Sequence, residues 1–216
     1  SGRLREAAVA LEPGESSGIT VVGVGPGTEE HVSAAAWQAI KRAHVVVGGA
    51  RHLDHFAPAQ AERIVIGSDM DAVEVAVRGQ LHRRVVVVAS GDPSCYGILA
   101  TLSRRFPEVA LQVVPGISSF QLALARLGLS WGAVRFASAH GRGIDEVLAA
   151  VCEHPRVLAL TDHSHSPQAL AAGLLEAGIN GRMTVLERLG YSDENVVEGD
   201  LSEIADGRFD SLSVVL

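Results

Sequence analysis

The sequence has few aromatic residues, few cysteines and no long apolar run, and each shortage excludes a class of protein. Aromatic side chains make up 4% of the 216 residues, too few for a surface that stacks on single-stranded nucleic acid. The two cysteines, Cys95 and Cys152, lie far apart without a CxxC pairing, which argues against a zinc site. No run approaches the roughly 18 to 20 apolar residues of a membrane span, and no signal peptide is visible. We therefore expect a soluble, cytoplasmic protein.

Basic residues are also in the minority. The formal net charge is −7, which argues against the basic stripe of a nucleic-acid-binding protein. A local cluster of arginines could still receive an acidic small molecule, so the overall sign does not decide the substrate. His163 and His165 have strand-like spacing but no evident third ligand, and we expect no bound metal.

Strand and helix signals alternate from Ile19 onward and predict an α/β protein. Five strands in about 100 residues, mostly with helical crossovers, predict a mainly parallel N-terminal sheet. Here Thr28 is expected to cap a helix that runs to Ala43, and Gly48 and Gly49 to open a polar loop. Later strands follow one another more closely, which predicts a mixed C-terminal sheet. We expect a flexible lead-in (1–17), an N-terminal α/β domain (18–115), a C-terminal α/β domain (116–216) and a cleft between the domains.

The segment 90–97, SGDPSCYG, is the strongest candidate for a ligand-binding loop. It follows the strand signal of residues 85–89, VVVVA, and precedes a helix-like run. A buried strand that ends in Gly, Asp and Pro and then opens a helix marks the carboxyl edge of a parallel sheet. Open α/β sheets bind their ligands at that edge.

The glycine-rich segment 23–27, GVGPG, follows the first predicted strand but departs from a dinucleotide-binding motif. The third glycine of G-x-G-x-x-G is replaced by Thr28, and the position expected to hold a ribose-binding acid is occupied by Gly48 and Gly49. Pro26 also lacks an N–H group for a phosphate. Two interpretations stay open: a tight strand-to-helix turn, or a loop whose bare backbone lies close to a ligand.

Three motifs in order, GxGPG, SGDPxxYG and the VPGISS of residues 114–119, make the chain resemble the tetrapyrrole (corrin and porphyrin) methyltransferases. The resemblance runs from about Gly18 to Leu216. It implies two α/β domains around a cleft and the use of S-adenosylmethionine. Segments 138–142, 187–191 and 193–199 resemble the branch that methylates C-5 of precorrin-7, or of its cobalt form, in cobalamin biosynthesis.

The resemblance also implies a cofactor site that both domains share. The loop after the fourth strand would contact the methionine end, the inter-domain helix would contribute its first turn, and the second domain would supply the adenosine side. A helix N-terminus suits the methionine carboxylate. The implied cofactor-binding residues are Gly91, Asp92, Pro93, Tyr96, Ser118, Ser119, Thr161, Asp162 and Leu186.

The implied substrate carries many carboxylates, so cationic loops should line the cleft. The expected substrate-binding residues are Gly25, Pro26, Gly27, Arg51, Arg142 and Arg188, the arginines lying in loops near strand ends. Methyl transfer from a sulfonium mainly requires that the reacting atoms be held in line. His140 is the candidate general base for the ring proton; the alternative is a histidine with no part in the reaction.

The resemblance further implies a homodimer, and fusion or partnership with a unit that methylates C-15 and decarboxylates. Two rival functions stay open at this point. One is a sister enzyme with the same cofactor and another acceptor, such as a different ring carbon. The other is a non-catalytic nucleotide-binding regulator on an α/β scaffold.

Overall fold

The computed structural model describes residues 18–26, 28–141 and 143–216. The predicted lead-in (1–17) and two predicted site residues, Gly27 and Arg142, lie outside the described residues. The described residues form two five-stranded sheets with helices packed against them and a cavity between them. One sheet is parallel and the other is mixed, which confirms the predicted fold class.

The first sheet is entirely parallel and has helices on both faces. Its elements are β1 (Gly18–Gly23), α1 (Ala34–Lys41), β2 (Val45–Gly48), α2 (Ala50–Phe56), β3 (Glu62–Val65), α3 (Met70–Arg78), β4 (Val85–Ala89), α4 (Leu99–Arg105) and β5 (Ala110–Val114). The strand order is β3-β2-β4-β1-β5. In the central strand β4, Val86 and Val88 join the cluster under α1 and α2, whereas Val85 and Val87 join the cluster under α3 and α4. Burial on both faces explains the unbroken valine run.

The second sheet is mixed, and its last strand in sequence lies at its centre. Its elements are α5 (Ser119–Leu127), β6 (Arg135–Ser138), α6 (Asp145–Glu153), β7 (Val157–Leu160), α7 (Pro167–Glu176), β8 (Arg182–Glu187), β9 (Asn195–Asp200), α8 (Leu201–Ala205) and β10 (Ser213–Val215). The order is β6-β7-β10-β8-β9, with β6 and β7 parallel and the other pairs antiparallel.

The two faces of the second sheet have different partners. Helices α6, α7 and α8 contribute to the cluster that covers one face. On the other face, Phe120 and Leu124 of α5 pack in one cluster with Leu158 and Leu186, and Tyr96 from the first half packs against it. Helix α5 therefore lies where the two halves meet. The division of the chain at 115 and 116 stays a prediction.

The predicted helix cap at Thr28 is wrong. A short 3₁₀ turn, Glu29–His31, intervenes, and α1 begins only at Ala34. The side chain of Ser33 accepts the hydrogen bond from the N–H of Ala36 at 3.1 Å, so Ser33 is the cap. The hydroxyl of Thr28 lies 2.7 Å from Nδ1 of His31 instead.

Two short helices, α2 and α8, are not predicted from the sequence. Helix α2 follows Gly49 directly, so Arg51 lies in a helix and not in a loop, which corrects its predicted setting. Leu53 and Phe56 hold this helix on the sheet, but seven residues are too few to show a clear helical period. Helix α8, of five residues, was missed for the same reason. Among the described residues, no helix has both the length and the apolar character that a membrane crossing requires.

Candidate active site between the two sheets

A cavity of about 490 Å³ lies between the two sheets, in the range typical of small-molecule sites. On its first-sheet side it is lined by the end of β4 and the loop after it, by Pro26 in the loop after β1 and by the start of α2. On its second-sheet side it is lined by residues that follow β6, β7 and β8 and by the loop and first residues of β10. The first turn of α5 lies on the cavity as well. The carboxyl ends of several strands thus meet at one site, as expected for an open α/β sheet.

The first-sheet side is built by close backbone contact between three loops. Gly25 and Gly91 form an isolated bridge, with N···O distances of 3.3 and 2.9 Å. A Cβ atom on Gly23 would lie 2.5 Å from the carbonyl oxygen of Gly91 and 2.6 Å from the N atom of Gly116. A Cβ atom on Gly116 would overlap with the same carbonyl oxygen. The loops after β1, β4 and β5 can approach one another this closely only because these residues are glycine.

Asp92 shapes the loop that follows Gly91. Its Oδ1 atom accepts hydrogen bonds from the N–H of Ser94, at 2.7 Å, and from the hydroxyl of Ser94. Its backbone carbonyl accepts from the N–H of Cys95 at 3.1 Å. Burial first, and then the charge of Asp92, raise the pKa of the Cys95 thiol. The thiol therefore stays protonated at neutral pH, which does not suit a nucleophile.

The first turn of α5 presents backbone donors to the cavity. Ser118 and Gln121 form a capping box: Ser118 N–H donates to Oε1 of Gln121 at 2.8 Å, and Gln121 N–H donates to Oγ of Ser118 at 3.2 Å. Capping leaves the N–H groups of Ser119 and Phe120 without partners inside the helix. Ser118 and Ser119 both line the cavity. An anionic group there would be favoured by these donors and by the helix dipole.

Helix α2 contributes two cationic or titratable side chains to the first-sheet side. Arg51 is exposed and lines the cavity. His52 also lines it, and its Nε2 atom is buried without a hydrogen-bond partner. Burial, followed by the charges of Arg51 and His55, lowers the pKa of His52 below 6.5. His52 is therefore neutral at pH 7.

On the second-sheet side, the loops after β6 and β7 are joined by Asp162. Its Oδ2 atom accepts from the N–H of Gly141 at 2.8 Å, and its Oδ1 atom accepts from the N–H of His165 at 2.6 Å, with His165 Nδ1 at 3.1 Å. Burial alone would raise the pKa of Asp162, but these hydrogen bonds outweigh burial and lower the pKa to about 2. Asp162 therefore holds two loops together.

The exposed side chain of His140 and the buried Thr161 face the cavity next to these loops. Nδ1 of His140 lies 3.4 Å from the carbonyl oxygen of Thr161. The hydroxyl of Thr161 donates to the carbonyl oxygen of Ser213 at 2.8 Å, which ties the end of β7 to β10. With Nδ1 directed at the carbonyl group, Nε2 is the ring atom of His140 that can serve a ligand.

The loop between β8 and β9, residues 188–194, borders the other part of the second-sheet side. Arg188 has a φ of 49°, in the left-handed region, and its guanidinium lies 2.7 Å from Asp193 and 3.5 Å from Asp210. The nearby carboxylate of Asp193 raises the pKa of Arg188 above its ordinary value. A Cβ atom on Gly190 would lie 3.2 Å from Pro26, so this loop contacts the first half of the chain. A strained residue that lines a cavity is a mark of functional sites.

Most of the predicted site residues meet at this one cavity, and four of those described do not. Gly25, Pro93, Asp162 and Leu186 are not among the described residues that line it. The residues brought together are Pro26, Arg51, Gly91, Asp92, Tyr96, Ser118, Ser119, His140, Thr161 and Arg188.

Several residues that line the cavity are not among those predicted from the sequence. The segment 211–214 reaches the cavity because β10 is inserted between β7 and β8, and no local pattern shows this insertion. Leu189 and Tyr191 follow the predicted strand end at Leu186 and could have been included with it. His52 stands next to the predicted Arg51, and that adjacency was the available signal. No group of three or more potential metal-ligating side chains is found within the described parts of the chain.

The fold and the cavity define an α/β protein of two sheets with a ligand-sized cavity between them. Residues 18–205 match the family described as Tetrapyrrole (Corrin/Porphyrin) Methylases, and the chain belongs to that family of methyltransferases.

Two relatives and one solved structure show which members it is similar to. The chain is 32% identical over 179 residues to the cobalt-precorrin-7 C(5)-methyltransferase of Salmonella typhimurium, which covers 82% of this chain and 88% of that protein. It is 37% identical to the decarboxylating precorrin-6Y C(5,15)-methyltransferase of a Sinorhizobium species, over 82% of this chain but only 44% of that longer protein. The crystal structure of a precorrin-6Y methylase from Archaeoglobus fulgidus is 28% identical in sequence, with a TM-score of 0.67. The match covers 93% of this chain and 97% of that one.

Proposed function

We propose that this chain transfers a methyl group from S-adenosylmethionine to C-5 of precorrin-7 or cobalt-precorrin-7 in cobalamin biosynthesis. The observation that carries the proposal is the convergence of the motif-bearing loops after β1, β4 and β6 and of the first turn of α5 on one cavity. The match to the Salmonella typhimurium enzyme supports the choice of acceptor.

The cavity residues fit S-adenosylmethionine chemically. The first-turn donors at Ser118 and Ser119 suit its carboxylate, and the carboxylate of Asp92 suits its positive charge. Leu160, Leu189 and Val214 are apolar lining residues of the kind that suits an adenine ring. We assign Gly91, Tyr96 and Thr161 to the same cofactor site. Pro93, Asp162 and Leu186 lie off the lining, so we assign them the role of supporting the loops and strand that bear it.

We assign the acidic macrocycle to the part of the cleft bordered by Pro26, Arg51 and Arg188. The guanidinium groups can form charge-assisted hydrogen bonds with substrate carboxylates. Arg51 has no carboxylate partner among the described residues, so it is the cation most available to a ligand. The predicted roles of Gly25, Gly27 and Arg142 in substrate binding stay predictions.

The chain's residues chiefly position the reactants. S-adenosylmethionine, when bound, supplies a methyl group to a ring carbon that then gives up its proton. The backbone surface at Gly91 and the first turn of α5 hold the donor side, and the arginines hold the acceptor side; such alignment can contribute roughly 7 to 11 kcal/mol. We propose that Nε2 of His140 accepts the ring proton, since its Nδ1 atom is directed at Thr161.

The family resemblance also supports three proposals about the protein's setting. They are that the protein acts in the cytoplasm, that it forms a homodimer, and that a separate or fused unit methylates C-15 and decarboxylates. The length of the Sinorhizobium relative, of which this chain covers 44%, supports the last of these.

Calorimetry with S-adenosylhomocysteine and turnover with several acceptors test the proposed function. We expect binding of S-adenosylhomocysteine and methylation of precorrin-7 or its cobalt form. Asp92→Ala should weaken binding without unfolding the chain, and Asp69→Ala, which removes a helix-capping carboxylate away from the cavity, is its control. Absence of binding would point to a regulator of another class. Binding with turnover of a different acceptor would assign the protein to a sister enzyme.

A further inference from the structure

Tyr96 adopts a backbone conformation that needs support. It lies in the loop between β4 and α4 and lines the cavity, and its φ of 52° places it in the left-handed region. A residue with a side chain is disfavoured in that region relative to its ordinary conformations. Such strain persists only where the surrounding contacts determine the conformation.

The side chain of Tyr96 is anchored in the second half of the chain. Its hydroxyl donates to Oε1 of Glu146 at 3.0 Å and lies 3.4 Å from the carbonyl oxygen of Phe136. Its ring packs edge-on against Phe120, with the ring centroids 6.1 Å apart. Glu146 lies in the first turn of α6, so the contact joins the loop after β4 to a helix of the second sheet.

The chemistry of the pair favours a persistent hydrogen bond. Burial first, and then the hydrogen bond to Glu146 and its charge, raise the pKa of Tyr96. The phenol therefore stays protonated and able to donate at neutral pH. A hydrogen bond from a neutral donor to a carboxylate is roughly twice as strong as a hydrogen bond between two neutral groups.

The contact between Tyr96 and Glu146 holds one end of the loop after β4, and Asp92 shapes the other end. Asp92 bonds to Ser94 and Cys95, so a movement of Tyr96 would be transmitted to Asp92 within four residues. The turn is also tightly closed, because a Cβ atom on Gly97 would lie 2.5 Å from the carbonyl oxygen of Pro93. The loop thus has little freedom to adjust independently of Tyr96.

We propose that Glu146 is a positioning residue for cofactor binding: by holding the hydroxyl of Tyr96, it keeps the loop 91–96 in the form that receives the cofactor and couples that loop to α6. The inference rests on the proposed function for the identity of the cofactor. Glu146 itself is not among the described residues that line the cavity, so it acts through Tyr96.

A set of five variants tests this inference, with the dissociation constant of S-adenosylhomocysteine measured by calorimetry. Glu146→Ala and Tyr96→Phe should each weaken binding about tenfold, and the double variant should be no weaker than either single variant, because both remove one contact. Glu146→Gln keeps an acceptor oxygen and should restore most of the affinity. Asp145→Ala removes a neighbouring, exposed carboxylate from the same helical turn and should bind as wild type.

Two further measurements separate positioning from general stability. Under turnover, Glu146→Ala should raise the KM for S-adenosylmethionine and leave the KM for the tetrapyrrole unchanged, with the thermal unfolding midpoint close to that of Asp145→Ala. Wild-type affinity in Glu146→Ala, or additive losses in the double variant, would overturn the inference. If wild type itself does not bind S-adenosylhomocysteine, it is the proposed function that fails.

Discussion

The first-sheet side of the cleft presents mainly backbone near the end of β4, whereas the second-sheet side presents mainly side chains. On the first-sheet side, Gly23, Gly91 and Gly116 bring three loops into direct main-chain contact. On the second-sheet side, His140, Thr161 and Arg188 face the cavity from three strand ends. Both sides face one ligand-sized space, but they are built by different means.

This difference predicts different responses to mutation. A main-chain surface has its shape set by backbone contact, so almost any added side chain disturbs it. A side-chain surface can change its charge or hydrogen bonding while the backbone stays in place. Substitutions of the glycines that build the main-chain surface should therefore affect folding and cofactor binding together, and substitutions of side chains that line the cavity should affect individual steps.

The largest effect is expected for Gly116→Ala. Its new methyl group would overlap with the carbonyl oxygen of Gly91, and the backbone can yield only by moving the loops after β4 and β5 apart. We expect a loss of about 3 kcal/mol in the free energy of unfolding, measured by urea denaturation, and loss of S-adenosylhomocysteine binding. Gly67→Ala, just beyond the end of β3, meets open space and is the matched control. Equal stability of the two variants would contradict the backbone description.

On the second-sheet side, Asp162→Asn should cost about 2 kcal/mol at pH 7. The N–H groups of Gly141 and His165 donate to different oxygens of Asp162, and in Asn one of these positions becomes an NH2 donor, so the loops after β6 and β7 separate. The pKa of Asp162 is about 2 in the folded chain against 3.8 ordinarily. Its contribution is therefore complete above pH 3.8 and is lost as the pH falls through about 2.

Urea denaturation at pH 7, 5 and 3 measures this pH dependence. The difference between wild type and Asp162→Asn should be the same at pH 7 and 5 and smaller at pH 3. Asp206→Asn, at an exposed carboxylate after α8, should show no loss at any of these values. A difference that does not shrink at pH 3 would mean that Asp162 acts through something other than its charge.

Arg51 on the first-sheet side and Arg188 on the second-sheet side allow the two sides to be compared in substrate binding. Arg51 has no carboxylate partner among the described residues, whereas Arg188 already pairs with Asp193 and Asp210. If both meet substrate carboxylates, Arg51→Gln should raise the KM for the tetrapyrrole about tenfold and Arg188→Gln only about threefold. Steady-state kinetics measures both, and the affinity for S-adenosylhomocysteine should not change. The reverse order would place the macrocycle nearer to the loop 188–194.

The same contrast explains how much of the molecule was predictable from sequence. The backbone-built side was recognised because Gly, Pro and Asp after a valine strand are a local signal, and segment 90–97 lies where this signal places it. The second-sheet side depends on topology: residues 211–214 reach the cavity through the central insertion of β10. The Glu146 contact joins residues that are 50 positions apart, which no local pattern indicates. Asp162 holds two loops together through contacts that no local pattern indicates, and its predicted contact with the cofactor stays a prediction.

The smallest effect is expected at His52, which lines the first-sheet side of the cavity from α2. Its pKa is lowered by burial and by the charges of Arg51 and His55, so the unfolded chain binds a proton more readily near pH 6. This histidine should therefore destabilise the fold as the pH falls below 6.5 and have no such effect above it. Urea denaturation at pH 7.5 and 5.5 measures how much stability is lost as the pH falls. His52→Phe should lose less than wild type does, and the difference should be under about 1 kcal/mol. His154→Gln, at a half-exposed histidine beyond α6, should leave the wild-type loss unchanged. If His52→Phe also leaves it unchanged, the imidazole is as free to ionise in the fold as in the unfolded chain, and its buried Nε2 is reached by water or another partner.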